Sequence, residues 1–169
     1  MKTDRPLRPY VLLALAWVAF AVYVWLSAGR LPDRVATHFG ADGMPNGWQT
    51  HAGYLEFTLV FGGVLPAFVL GTFALIRRLN GWGLNIPHKE YWLAPERRQE
   101  TFDFVQRQGT WLALQIIALI AGMHYFIIAA NAHAPARLPT GFIVLTGAFL
   151  IATIVWGTKF IRHFSGKPL

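Results

Sequence analysis

The histidines that lie outside the most apolar stretches are the residues of this chain that could do chemistry. His38 and His51 lie between the first and second apolar stretches, and His133 lies between the third and fourth. Together with Asp42 they form a candidate ligand set for zinc or copper, because imidazole nitrogen suits both metals. Their spacing matches no recognised metal motif, and the ligands would have to converge from separate segments. The alternatives for His38 are a structural role within its own loop, which the pattern favours, and contact with a partner.

Other arrangements typical of enzymes do not stand out. We find no Ser–His–Asp arrangement, no pair of carboxylates within an apolar stretch and no phosphate-binding glycine loop. The chain has no cysteine, which excludes disulfides, thiolate metal sites and cysteine nucleophiles. We therefore expect a protein that is not an enzyme and that needs no cofactor.

Four long apolar stretches are the elements that must position these residues. They cover residues 10–28, 54–76, 109–130 and 141–158. Each is long enough to cross a hydrocarbon core of roughly 30 Å as a helix that rises about 1.5 Å per residue. Charged residues make up only 14% of the chain, whereas a soluble domain has about 25%. The sequence predicts an all-α, polytopic membrane protein, a single domain over residues 1–169 that folds as a four-helix bundle in the lipid bilayer.

The basic residues are distributed unevenly around these stretches. Twelve of the fifteen lie before the first stretch, between the second and third, or after the fourth, and the rest are Arg30, Arg34 and Arg137. Basic residues accumulate on the cytoplasmic side of short loops. The sequence therefore predicts cytoplasmic N and C termini, a cytoplasmic loop over residues 77–108 and an outer loop over residues 29–53. Because this distribution explains the net charge of +7, we expect no nucleic-acid partner.

Small and polar residues within the stretches indicate how the helices pack. Gly63, Ala67 and Gly71 recur every four residues, a spacing typical of close helix contacts in lipid, either within the bundle or in a homo-oligomer. His124 and Asn131 are seven residues apart and share one face of the third helix;. We expect His124 to be hydrogen-bonded within the bundle, with a ligand or a proton-relay role as the alternative.

The predicted cytoplasmic loop contains a helical pattern of its own. Pro95 suits the first turn of a helix, and Asp103 and Arg107 are spaced for an ion pair at i, i+4;. We expect an amphipathic helix that lies at the inner interface and continues into the third stretch. The segment before it either anchors to the membrane or docks a cytoplasmic partner.

The outer loop is rich in residues that favour turns. Asp42-Gly43 and Asn46-Gly47 are strong turn dipeptides, and Pro32 and Pro45 stiffen the backbone beside them;. The sequence predicts a turn-rich loop of one fixed shape. Phe39 and Trp48 could cap the bundle or lie at the outer interface.

This loop carries a motif that resembles the signature of a bacterial membrane-protein family of unknown function. The pattern Leu-Pro-x-x-Val-x-x-His-Phe-x-x-x-Gly-x-Pro-x-Gly-Trp runs from Leu31 to Trp48 and directly follows the first apolar stretch. Versions of the family's domain occur in the immunity proteins that protect producing cells from the sporulation-delaying toxin. The chain departs from the family's usual pattern at Ala36, where proline is common, and at Asn46, where aspartate is frequent.

The resemblance implies a multi-pass protein of the bacterial plasma (inner) membrane. We expect a binding, signalling or immunity-type protein that recognises a peptide or a membrane-protein partner through the outer loop. The residues expected to contact the partner are those of the motif: Leu31, Pro32, His38, Phe39, Gly43, Pro45, Asn46, Gly47 and Trp48. The alternative is a membrane protein that handles a metal or a small molecule through the outer histidines, with His38, Asp42, His51 and His133 as ligands.

Overall fold

A computed structural model describes residues 8–166 of the chain. Within that part the fold is mostly helical, as predicted. Four helices are long and apolar enough to cross a membrane, so the prediction is confirmed to the extent of four candidate spans. Lys2, Arg5 and Lys167, three of the basic residues that the sequence predicts to be cytoplasmic, lie outside the described residues. The helices are α1 (Arg8–Ser27), α2 (His51–Arg78), α3 (Lys89–Trp92), α4 (Arg98–Asn131) and α5 (Gly141–Ser165), and a short 3-10 turn (Ala28–Arg30) follows α1.

The loop between α1 and α2 contains the main departure from an all-α fold. It forms an antiparallel hairpin of two strands, β1 (Arg34–Phe39) and β2 (Pro45–Thr50). The Asp42-Gly43 turn is confirmed, because Gly43 has a φ of 77° at the tip and the Asp42 carboxylate accepts the Met44 N–H at 3.0 Å;. The prediction of a turn at Asn46-Gly47 is wrong, because both residues lie within β2. The strand pairing is irregular there, at the position where Gly47 pairs with His38.

The boundaries of the third span also differ from the prediction. Residues 98–108 are helical as expected, and they form one continuous helix with the membrane span. This helix begins at Arg98, whereas Pro95 lies in the turn before it. The connection between α2 and α4 is therefore residues 79–97, shorter than the predicted loop over residues 77–108.

The predicted ion pair within α4 is wrong. Asp103 accepts a hydrogen bond from Arg77, in the last turn of α2, at 2.6 Å. Arg107 instead places its guanidinium carbon 5.9 Å from the centre of the Phe104 ring. A bond between two helices replaces the bond within one helix because Asp103 lies on the side of α4 that meets α2.

Helix α4 is the centre of the bundle, since α1, α2, α5 and β1 all pack against it. The core between α1 and α4 contains Phe20, Val24, Ile116, Ile117 and Ile120. The predicted stripe of small residues is only partly used inside the bundle. Gly63 leaves room for the Trp17 ring of α1, whereas Gly71 faces open space. Helix α5 packs mainly on α4, and its central part has no buried residue.

The two ends of the bundle differ in charge. We call the end that carries β1, β2 and the connection 132–140 the hairpin face, and the opposite end the basic face. Arg30, Arg34 and Arg137 lie at the hairpin face. Nine basic residues of the described part lie at the basic face: Arg8, Arg77, Arg78, Lys89, Arg97, Arg98, Arg107, Lys159 and Arg162.

Candidate functional site

The hairpin is held to the bundle by an apolar inner side. Val35 is fully buried, and it packs with Leu31, Tyr54 and Ile127 in one cluster. Phe39 contacts the edge of the same cluster. The strands therefore rest on the ends of α2 and α4, and the hairpin is part of the folded core of the protein.

Asn131, at the last turn of α4, holds β1 by its backbone. Its side-chain oxygen accepts the Ala36 N–H at 2.9 Å, and its amide nitrogen donates to the Ala36 carbonyl at 3.0 Å. The same nitrogen also donates to the Ile127 carbonyl at 2.8 Å. The asparagine amide thus occupies the place that a third strand would take beside β1.

His124, two turns earlier on α4, ties three helices together. Its Nε2 lies 2.9 Å from the Ser27 hydroxyl of α1, and its Nδ1 lies 2.8 Å from the Tyr54 hydroxyl of α2. The Ser27 hydroxyl has one proton and donates to the Tyr23 carbonyl at 2.6 Å. We therefore assign Ser27 as the acceptor from Nε2–H and Tyr54 as the donor to Nδ1. The histidine is buried. The prediction that it is hydrogen-bonded within the bundle is confirmed.

The tip of the hairpin rests on the connection between α4 and α5. The Leu138 N–H donates to the Gly43 carbonyl at 3.0 Å, and Arg137 lies beside the same glycine. The positive φ of Gly43, 77°, disfavours a side chain at that position;. The hairpin is consequently attached at its base, along β1 and at its tip.

The outer side of the hairpin is exposed and mixed in character. Trp48 is 45% exposed, and the Arg34 guanidinium carbon lies 5.0 Å from the centre of its ring. His38 is exposed and its Nδ1 lies 3.1 Å from the Thr37 hydroxyl. Asn46 is exposed in β2, the strand of Trp48, and Met44 is exposed directly before that strand. This surface combines an aromatic ring, a cation and polar groups, a composition that is common where proteins bind partners.

The β2 edge of the sheet is open. Within the described residues the sheet has only two strands, and the bond from His51 N–H to the Asp33 carbonyl at 2.9 Å fixes its register. In that register Ala36 and Trp48 form a pair whose backbone groups point away from each other;. The Ala36 N–H and carbonyl bond to Asn131. The Trp48 N–H and carbonyl point away from β1, at the free edge of the sheet.

The motif residues therefore divide between the interior and the surface. The exposed ones are Pro32, His38, Asn46 and Trp48, and those that are buried or half-buried are Leu31, Phe39, Gly43, Pro45 and Gly47. Gly47 lies beside the His38 side chain, and a Cβ atom at this position would make a tight contact of 3.0 Å with the His38 Cβ. Five of these nine motif residues are at least partly buried, and the other four are available at the surface.

The candidate metal ligands do not converge. Among residues 8–166 no group of three or more histidine, aspartate or glutamate side chains is placed to hold a metal ion. His38, Asp42, His51 and His133 accordingly do not form one site. The geometry gives the metal-handling alternative no support.

Ser27 and Tyr54 are the residues of the site that sequence reasoning did not identify. Both lie at the hairpin-face ends of their helices, a position that polar and aromatic residues often occupy without a specific role. Their shared contact with His124 depends on the arrangement of α1, α2 and α4, which no spacing within one helix encodes.

Comparison with known proteins identifies one region of the chain. A domain of unknown function (DUF1648) is found at residues 11–61, which span most of α1, the hairpin and the first turns of α2. Neither a curated protein nor a solved structure matches the chain. The predicted resemblance to a family of unknown function is confirmed to this extent, and the relationship to toxin-immunity proteins stays a prediction.

Proposed function

We propose that this membrane protein is a non-enzymatic binding protein of signalling or immunity type, which recognises a peptide or a membrane-protein partner through its hairpin. In this proposal the protein lies in the bacterial inner membrane with the hairpin outside. The observation that carries it is the asymmetry of the hairpin. One side is fixed to the helices by Asn131 and by the cluster around Val35, and the other side leaves the Arg34–Trp48 pair exposed.

The open β2 edge supports an extended partner segment. A free strand edge pairs readily with another chain, and peptide recognition by strand addition uses such an edge. Trp48 contributes both outward-pointing backbone groups and an exposed ring beside the same edge. A fixed hairpin would lose little conformational freedom when the partner binds, which favours affinity.

Site-specific photo-crosslinking tests this proposal in native membranes. A photoreactive residue at Asn46, on the exposed side of β2, should capture a defined partner from cells that express the full chain. Combining Trp48→Ala with Arg34→Gln should reduce that capture by about tenfold or more, because exposed Trp and Arg residues often dominate binding energy. Trp82→Ala is the matched control, since Trp82 is 75% exposed in the connection 79–97.

Two results would contradict the proposal. The first is the absence of any crosslink from Asn46 when the protein is correctly inserted. The second is a crosslinked product whose yield does not respond to the double substitution, because such a product would not depend on the proposed surface.

A further inference from the structure

The contact between α4 and α5 at the basic face has one closed side and one open side. Phe104 of α4 and His163 of α5 stack with ring centres 3.7 Å apart and planes 13° apart. Next to them, Val105 and Phe164 are buried in one cluster with residues of the connection 79–97. That connection closes this side of the contact between the two helices.

Three cationic residues lie on the opposite side of the same contact. Successive residues of a helix are separated by about 100°, so Arg107 and Val105 flank Phe104 on opposite sides. By the same geometry Arg162 and Phe164 flank His163 on opposite sides, and Lys159 lies on the side of Arg162. All three basic side chains are exposed. We call Arg107, Lys159 and Arg162 the cationic cluster.

The members of the cationic cluster lie at a similar depth. The antiparallel register is fixed by the Phe104–His163 stack and by the Trp156 indole N–H, which donates to the Gln108 carbonyl at 3.0 Å. In this register Lys159 and Arg162 fall within about one helical turn of Arg107. Arg107 is directed toward the contact itself, since its guanidinium carbon is 5.9 Å from the Phe104 ring centre.

The charges of the cluster are not neutralised by a carboxylate in the described part of the chain. Within residues 8–166 the salt bridge is the one between Arg77 and Asp103. The nearest acidic residue on the same side of α4 is Glu100, two turns further from the membrane centre. Above the cluster, toward the membrane centre, Trp111 is 61% exposed one turn from Arg107. A cationic surface therefore borders directly on an apolar one.

We propose that the cationic cluster binds the phosphate headgroup of an anionic phospholipid, whose acyl chain lies along the exposed flank of α4 at Trp111. Arginine and lysine pair strongly with phosphate oxygens, and basic pockets between membrane helices are suited to anionic headgroups. The lipid would join α5 to α4 on the side that the connection 79–97 leaves open. This matters for α5 because α4 is the long helix on which it mainly packs.

Native mass spectrometry of the full chain in detergent micelles, titrated with phosphatidylglycerol or phosphatidylcholine, tests the site. Replacing the cluster by Arg107→Gln, Lys159→Gln and Arg162→Gln should weaken phosphatidylglycerol binding by about tenfold or more. The control triple variant, Arg78→Gln, Lys89→Gln and Arg98→Gln, removes the same charge from exposed positions of the same face. It should retain nearly all of the binding, and phosphatidylcholine should bind all three proteins equally weakly.

Two further measurements, on a charge-conserving variant and on competition with inorganic phosphate, complete the test of the lipid site. The single variant Arg107→Lys keeps the charge and should retain most of the binding, so it remains informative if the triple variant folds poorly. Millimolar inorganic phosphate should not displace the lipid, because the proposed site also uses the acyl chain. Equal losses in the two triple variants would show a general charge effect and overturn the proposal, as would displacement by inorganic phosphate alone.

Discussion

His124 shows how one polar residue orders the hairpin-face end of the bundle. Both of its ring nitrogens are used, one toward Ser27 and one toward Tyr54. In lipid a polar group without a partner is costly, and hydrogen bonds between helices compensate for burying it. The histidine therefore fixes the mutual position of α1, α2 and α4, and it does so directly beneath the hairpin that Tyr54 supports.

Replacing this histidine should destabilise the protein. We expect His124→Ala to lower the free energy of unfolding by about 1–3 kcal/mol, because the Ser27 and Tyr54 hydroxyls lose a buried partner. The measurement is unfolding of the purified protein in mixed detergent micelles. His133→Ala is the matched control, since His133 is exposed in the connection 132–140. Its effect should stay within about 0.5 kcal/mol, and equal effects of the two substitutions would contradict the structural role of His124.

A single side-chain amide makes the polar attachment between β1 of the hairpin and α4. Asn131 both accepts from and donates to Ala36. Only an amide supplies an acceptor and a donor in this geometry, since a carboxylate would present oxygen to two carbonyl oxygens. The attachment of β1 to α4 is thus chemically specific, whereas the apolar cluster around Val35 tolerates changes of similar size.

The substitution Asn131→Asp should loosen β1 without changing the shape of the side chain. We expect backbone amide exchange in β1 to become about tenfold faster, because the second carboxylate oxygen repels the carbonyls of Ala36 and Ile127. Hydrogen exchange monitored by mass spectrometry reports this directly. Asn46→Asp makes the same chemical change at an exposed position of β2 and should leave exchange in β1 unaltered. Unchanged protection in Asn131→Asp would show that the apolar cluster alone holds the strand.

The elements that sequence reasoning predicts well are those with strong local signals. Four apolar stretches predict the four long helices. The spacing of seven places His124 and Asn131 on one face of α4, where His124 bonds to Ser27 and Tyr54 and Asn131 bonds to β1. The strands are missed because Asp42-Gly43 and Asn46-Gly47 give the same turn signal, and only packing of Val35 on Tyr54 and Ile127 selects one of them. The partner of Asp103 is missed for a similar reason, since Arg77 lies 26 residues away in the chain.

The molecule as a whole has one basic end and one end built around the hairpin. Of the described lysines and arginines, nine lie at the basic face and three at the hairpin face. Long helices connect the two faces, and α4 runs from Arg98 at the basic face to Asn131, which bonds to β1. This one continuous helix therefore connects the proposed recognition surface to the opposite end of the protein.

This charge difference predicts the orientation of the protein in the membrane. Basic loops remain in the cytoplasm, so we expect the basic face inside and the hairpin outside. Because the chain has no cysteine, single cysteines report the location without interference. Asn46→Cys in β2 and Asn85→Cys in the connection 79–97 both replace exposed asparagines. A membrane-impermeant maleimide should label Asn46→Cys in spheroplasts, and it should label Asn85→Cys only after the membrane is permeabilised. The opposite pattern would place the hairpin in the cytoplasm and exclude an outer recognition surface, whereas phospholipid binding at the cationic cluster would remain open to its own test.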